Sequence, residues 1–158
     1  MSRLPSLGPR GEGWVIIQFV LLALVGLLGL IGPAWSGSVR TATDVLGAVL
    51  LAVGIGLGTW GLGALRTALT PLPRPRAGAQ LVETGAYRLV RHPIYGGIVI
   101  AALGYGLLMA SPAAILGAVL LLGFFRLKSA REEVWLMAVY PGYAAYRSHT
   151  PRLLPFLY

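Results

Sequence analysis

The chain has 158 residues, 56% apolar and 11% charged, with 22 Gly, 11 Pro and no Cys, and a mean hydropathy of +0.75. A soluble domain carries roughly 25% charged residues, so this composition excludes an ordinary water-soluble globule, a disordered chain and, without Cys, any disulfide scaffold. Two His and five acidic residues leave too few ligands for a protein-only zinc or di-metal centre, so no metal is expected.

What remains is one integral membrane domain over residues 1–158, with an N-terminal helix pair (1–68) and a more polar remainder (69–158). The net charge of +8 reads as membrane orientation. The basic residues lie between apolar runs and do not alternate with aromatics, so no nucleic-acid partner is expected.

The first apolar run, residues 14–35, holds no charge and covers the ~30 Å hydrocarbon core. Gly32-Pro33 ends it, and Trp14 and Trp35 are placed as interfacial anchors. Thr43-Asp44 reads as the N-cap of a second helix over 45–67. Gly56-Leu57-Gly58-Thr59-Trp60-Gly61 spells the dinucleotide pattern GxGxxG. It lies inside an apolar span rather than between strand and helix, so it is read as helix packing, with Gly54 and Gly58 forming a GxxxG pair.

A third helix is expected over 94–109. A fourth starts at Ser111-Pro112, a good N-cap and first-turn pair, and continues past its apolar part to about Val139. The short connection makes these two an antiparallel hairpin. Both apolar runs fall under the ~17 residues of a full crossing, which would anchor the hairpin near one face.

Lys and Arg number two in the N-terminal tail, one in the first loop, five in the second, none in the third and five in the C-terminal segment. This positive-inside pattern predicts an all-α, polytopic protein with four transmembrane helices and both termini cytoplasmic. The long second loop and the C-terminal helical segment then share the cytoplasmic face.

That loop opens with a proline-rich strip, Thr70-Pro71-Leu72-Pro73-Arg74-Pro75-Arg76, which cannot be helical. Gly85 supplies a turn compatible with positive φ. Pro93 suits the first turn of the third helix, with His92 near its N-cap and Tyr95 inside that turn. A helix N-terminus is a natural seat for a carboxylate. A second polar cluster, Arg126, Lys128, Arg131, Glu132 and Glu133, follows the fourth apolar run. Lys128 and Glu132 share a helix face, as do Arg126 and Glu133. Tyr143 and Tyr146 meet on one face of a later helical segment.

The string "LVETGAYRLVRHPIYGG", followed one hairpin later by "REEVWL" and "GYAAY…TPRLLP", resembles the isoprenylcysteine carboxyl methyltransferase family, particularly its small bacterial branch. That family is similar in turn to membrane phospholipid methyltransferases. The resemblance covers residues 69–155 and treats the first two helices as generic spans.

It implies an S-adenosylmethionine-dependent methyltransferase of the bacterial cytoplasmic membrane acting on a lipophilic or prenylated acceptor, such as an isoprenylcysteine-like carboxylate. The lipid bilayer is its other partner. By the same resemblance the donor is held by Ala79, Gln80, Leu81, Val82, Gly85 and Tyr87, together with His92, Pro93, Ile94 and Tyr95. The acceptor is positioned by Lys128 and Glu132. Lys128 stands where eukaryotic members carry Arg and lacks a bidentate grip, which Arg126 would supply instead. The other classes weighed are a fold-sharing accessory protein without catalysis and a small four-helix transporter, the latter at odds with apolar runs that hold no ionisable residue.

Overall fold

A computed structural model describes residues 5–31, 35–65 and 80–155. Among them are five helices: α1 (Glu12–Ile31), α2 (Gly37–Leu65), α3 (Pro93–Leu108), α4 (Pro112–Val139) and α5 (Tyr143–His149). A single 3₁₀ turn, Gly85–Arg88, precedes α3. Three helices, α1, α2 and α4, are long and apolar enough to cross a membrane. Helix α3 has 16 residues, or about 24 Å, against the ~30 Å core. Of the four expected transmembrane helices, three are therefore long enough to cross; α3 is short, as its apolar run implied, whereas α4 outruns its own apolar part.

Helix α3 is nevertheless the centre of the bundle. It packs most extensively on α2 and then on α4, while α1 rests on α4. Its close fit to α2 is built from glycine. A Cβ at Gly97 would come within 2.6 Å of the Gly54 carbonyl and 2.7 Å of the Gly58 nitrogen. One at Gly104 would meet the Gly47 carbonyl at 2.7 Å. The buried glycines of α2 are Gly47, Gly54 and Gly61, spaced by seven rather than by four. Gly58 offers its backbone to Gly97, but its own Cβ direction is open. With lipid as apolar as the side chains, such backbone contact is what holds membrane helices together.

The second helix begins eight residues before the expected start. Thr43 and Asp44 do not cap it. Thr43 accepts a hydrogen bond from Trp35 Nε1 at 2.7 Å and donates to the Arg40 carbonyl. Asp44 pairs with Arg40 one turn earlier at 2.9 Å. Arg40 also donates to the Leu108 carbonyl at 2.8 Å, tying the start of α2 to the end of α3.

The α3–α4 hairpin follows the sequence closely. Ser111 is the N-cap of α4, accepting from Ala114 N at 3.2 Å, with Pro112 in the first turn. Its hydroxyl also donates to the Leu28 carbonyl at 2.9 Å. Together with Val25 against Gly117 and Trp14 beside Phe124, this sets α1 antiparallel to α4.

The core, centred on Val25, Val99, Ala102, Ala118, Leu121, Phe125 and Leu153, lies among α1, α3, α4 and the segment after α5. Exposed Phe19, Leu30, Val45, Ile55, Leu116 and Leu120 make the outer faces of the long helices apolar, as a hydrocarbon solvent requires.

Candidate active site

Gly85 adopts φ +62, and a side chain there would approach Trp60 Nε1 at 3.3 Å. The chain then tightens into the 3₁₀ turn, whose Ala86 carbonyl accepts from Leu89 N and Val90 N. Ala86 and Val90 are fully buried and pin the turn to the bundle. His92 follows as the N-cap of α3, with Pro93 in the first turn. Proline costs nothing there, because its missing N–H has no helical partner anyway. The His92 side chain makes no capping bond and is turned toward α4.

At that point α4 presents Glu132 and Glu133. His92 lies between them, with Nε2 3.3 Å from Glu133 Oε1 and Nδ1 3.8 Å from Glu132 Oε2. Tyr95 donates to Glu132 Oε2 at 2.9 Å. Its ring stacks between His92 at 5.5 Å and Phe125 at 4.7 Å. The loop string and the acidic pair, about forty residues apart in sequence, thus form one polar centre at the end of the bundle.

Glu133 is the hub of this centre and is only 1% exposed. Arg91 Nε donates to its Oε1 at 2.9 Å, and Arg152 Nη2 to its Oε2 at 3.0 Å. Arg147 Nε approaches Oε2 at 3.5 Å. Arg91 also reaches the carbonyls of Arg147 and Thr150.

The segment after α5 is held by main-chain bonds, from Arg91 N to the Pro151 carbonyl and from His92 N to the Arg152 carbonyl, both 2.9 Å. Tyr146 donates to the Tyr87 carbonyl at 2.5 Å and meets Tyr143 edge-on. Burial above all raises the Tyr87, Tyr143 and Tyr146 hydroxyls above the ordinary phenol range, with the Glu132 charge adding to the effect at Tyr87. They remain protonated donors. Among the described residues the buried Tyr143 hydroxyl has no hydrogen-bond partner, and it lies in the field of Glu133 and Arg91.

The expected site residues separate into groups. His92, Tyr95 and Glu132 converge, with Tyr87 close enough for Glu132 to raise its phenol. Lys128 is buried next to Tyr95, its ammonium 4.8 Å from the ring centroid. Pro93 and Ile94 pack against Gly61 of α2, so they support the centre rather than face it. Leu81 and Val82 are half-buried and Gln80 is exposed, whereas Ala79 lies outside the described residues.

Arg126 is exposed. It precedes Lys128 by two positions, about 200° around the helix, and is not among the partners of Glu133. Sequence reasoning did not single out Glu133 as a site residue, nor Arg91, Arg147, Arg152, Tyr143 or Gln18. The doubled Glu132-Glu133 with arginines on both flanking segments was the available signal.

The family model described as phospholipid methyltransferase matches residues 42–142, nearly two thirds of the chain. The match takes in most of α2, which the sequence treated as a generic span, and stops before α5. No curated protein matches the chain.

Proposed function

The chain belongs to the phospholipid methyltransferase family, and on that premise we propose that it transfers a methyl group from S-adenosylmethionine to a lipophilic acceptor at the membrane face. One observation carries the reading. His92 of the loop string lies between Glu132 and Glu133 of α4, so the two motifs build a single centre.

The residues present suit the donor. Arg91, Arg147 and Arg152 face one carboxylate at Glu133, leaving positive charge over for a second anion, such as the carboxylate of an amino-acid moiety. The Tyr143 hydroxyl, without a hydrogen-bond partner among the described residues, is one further donor. The ring faces of Tyr87 and Tyr95 suit a sulfonium cation. Bound S-adenosylmethionine would supply a methyl on a good leaving group.

The chain's own task is then to hold donor and acceptor at near-attack distance away from water. In the transfer a bond forms between methyl carbon and the acceptor nucleophile as the sulfur–methyl bond breaks. A carboxylate acceptor needs no base, whereas a thiol or amine gives up a proton, for which His92 and Glu132 are placed. Glu132 and Lys128 are assigned to the acceptor side.

Calorimetry in detergent tests the donor assignment. S-adenosylmethionine or its demethylated product should bind, and His92→Ala should weaken binding by at least ~1 kcal/mol, the scale of a lost hydrogen bond. Unchanged affinity in both His92→Ala and Tyr95→Ala would refute it. Incubation with methyl-labelled donor and total membrane lipid, followed by identification of the labelled product, names the acceptor.

The proposed topology keeps four passes, with α3 tolerated at its length because α2 and α4 flank it, and both termini cytoplasmic. Single cysteines at the exposed positions Met109 and Arg88 should then label from opposite faces of the membrane. Labelling from the same face would overturn this arrangement.

A further inference from the structure

The sequence contains twelve Arg and a single Lys. The arginines that pair do so with carboxylates, Arg40 with Asp44 and three others with Glu133. The lysine does not. Lys128 is 2% exposed and, among the described residues, forms no ion pair within 4 Å. Its Nζ donates to Gln18 Oε1 of α1 and sits 4.8 Å from the centroid of the Tyr95 ring and 6.0 Å from that of Phe125. Glu132, one turn further on, instead accepts from Tyr95.

The ammonium is held by one amide oxygen and two ring faces that attract a cation, and Glu132, one turn on, acts on it through space without ion-pair contact. Removing such a charge from water is unfavourable unless an anion compensates. Gln18 takes one of its three N–H donors and leaves two.

Depth narrows the compensating group. Lys128 follows Pro112 by sixteen residues, about 24 Å along α4, which places it near the far edge of the ~30 Å hydrocarbon layer. The charged end of a lipophile lies at that level. Gln18 itself is a lone amide in an otherwise apolar stretch of α1, and α1 lies outside the residues matched by the family.

We propose that Gln18 is a specificity-determining residue for the methyl acceptor. By offering the ammonium a neutral oxygen where a carboxylate would neutralise it, Gln18 keeps a positive charge available to an anionic group and so selects negatively charged lipophiles over neutral ones. This rests on the methyltransferase reading only in calling the lipophile an acceptor.

The single lysine makes the test direct, because protein labelled with ¹⁵Nζ-lysine gives one side-chain signal. In detergent at about neutral pH that signal should be an ammonium. It should shift saturably with oleate and not with oleyl alcohol, which has the same chain without the charge. Gln18→Glu should weaken the oleate response at least ~tenfold by supplying an internal counter-ion. Gln18→Leu should weaken it less and keep the preference for oleate over the alcohol.

A neutral-amine signal, an equal response to oleate and oleyl alcohol, or an oleate response unchanged in either variant would overturn the proposal. Should Gln18→Glu fail to fold, the contrast between oleate and oleyl alcohol in the wild type still decides, since an equal response refutes selection by charge. The measurement needs neither donor nor turnover, so its failure is distinct from failure of donor binding in the calorimetric test.

Discussion

Glu133→Ala is expected to lower folding stability by about 3–5 kcal/mol, the range for stripping one partner from a buried ion pair. The carboxylate is 1% exposed and is the convergence point of Arg91, His92, Arg147 and Arg152. Its removal leaves guanidinium groups facing one another in a site with little water. The partners are not equal. Arg91 is nearly as buried as Glu133, with side-chain exposures of 7% and 2%, and loses most. The Arg147 side chain is 42% exposed and 3.5 Å away, so solvent screens that pair and Arg147→Ala should cost under ~1 kcal/mol. Thermal unfolding in detergent checks both. A Glu133→Ala variant that melts with the wild type would show that the arginines are held by other bonds.

The neighbouring carboxylate should behave in the opposite way. Glu132→Gln is expected to cut turnover at least ~tenfold, about 1.4 kcal/mol in the barrier, with donor affinity near normal. Glu132 has one hydrogen-bonded protein partner, Tyr95, at its Oε2. Among the described residues no hydrogen bond reaches its Oε1, and its side chain is 19% exposed. A glutamine keeps an acceptor for the Tyr95 hydroxyl and removes the charge, so stability changes little. Full activity of Glu132→Gln on the labelled acceptor would remove Glu132 from the site. These outcomes would separate two adjacent carboxylates of the same chemistry by whether the C-terminal segment covers them.

Local signals in the sequence were reliable where the chain acts locally. Ser111-Pro112 started α4, and the helix ran to Val139 although its apolar run ended near Phe125. Gly85 took positive φ, and His92-Pro93 opened α3. The misplaced start of α2 shows the limit of that reasoning. Thr43-Asp44 looked like a cap, but the Arg40–Asp44 pair and the bond from Arg40 to Leu108 extend the helix backwards through tertiary contact.

Pairing across the fold was harder still to read. Glu133 draws on residues 91, 147 and 152, and no spacing rule connects positions so distant. Gln18 meets Lys128 across 110 residues, and only its polarity in an apolar run marked it. The glycine spacing of seven in α2, repeated by Gly97 and Gly104 in α3, is present in the sequence, but only the helix crossing decides that it, and not the shorter GxxxG pair, supplies the buried glycines.

The main-chain bonds from Arg91 and His92 to Pro151 and Arg152 have a consequence for biosynthesis. A polypeptide is made from its N-terminus, so α1 to α4 are available to enter the bilayer and pack before residues 147–155 exist. Until that stretch arrives, Glu133 lacks Arg147 and Arg152, and the start of α3 lacks the segment that covers it. The Glu133 centre is therefore completed only after α1 to α4 have been made. A nascent chain still engaged with the insertion machinery carries that carboxylate with only part of its guanidinium shell.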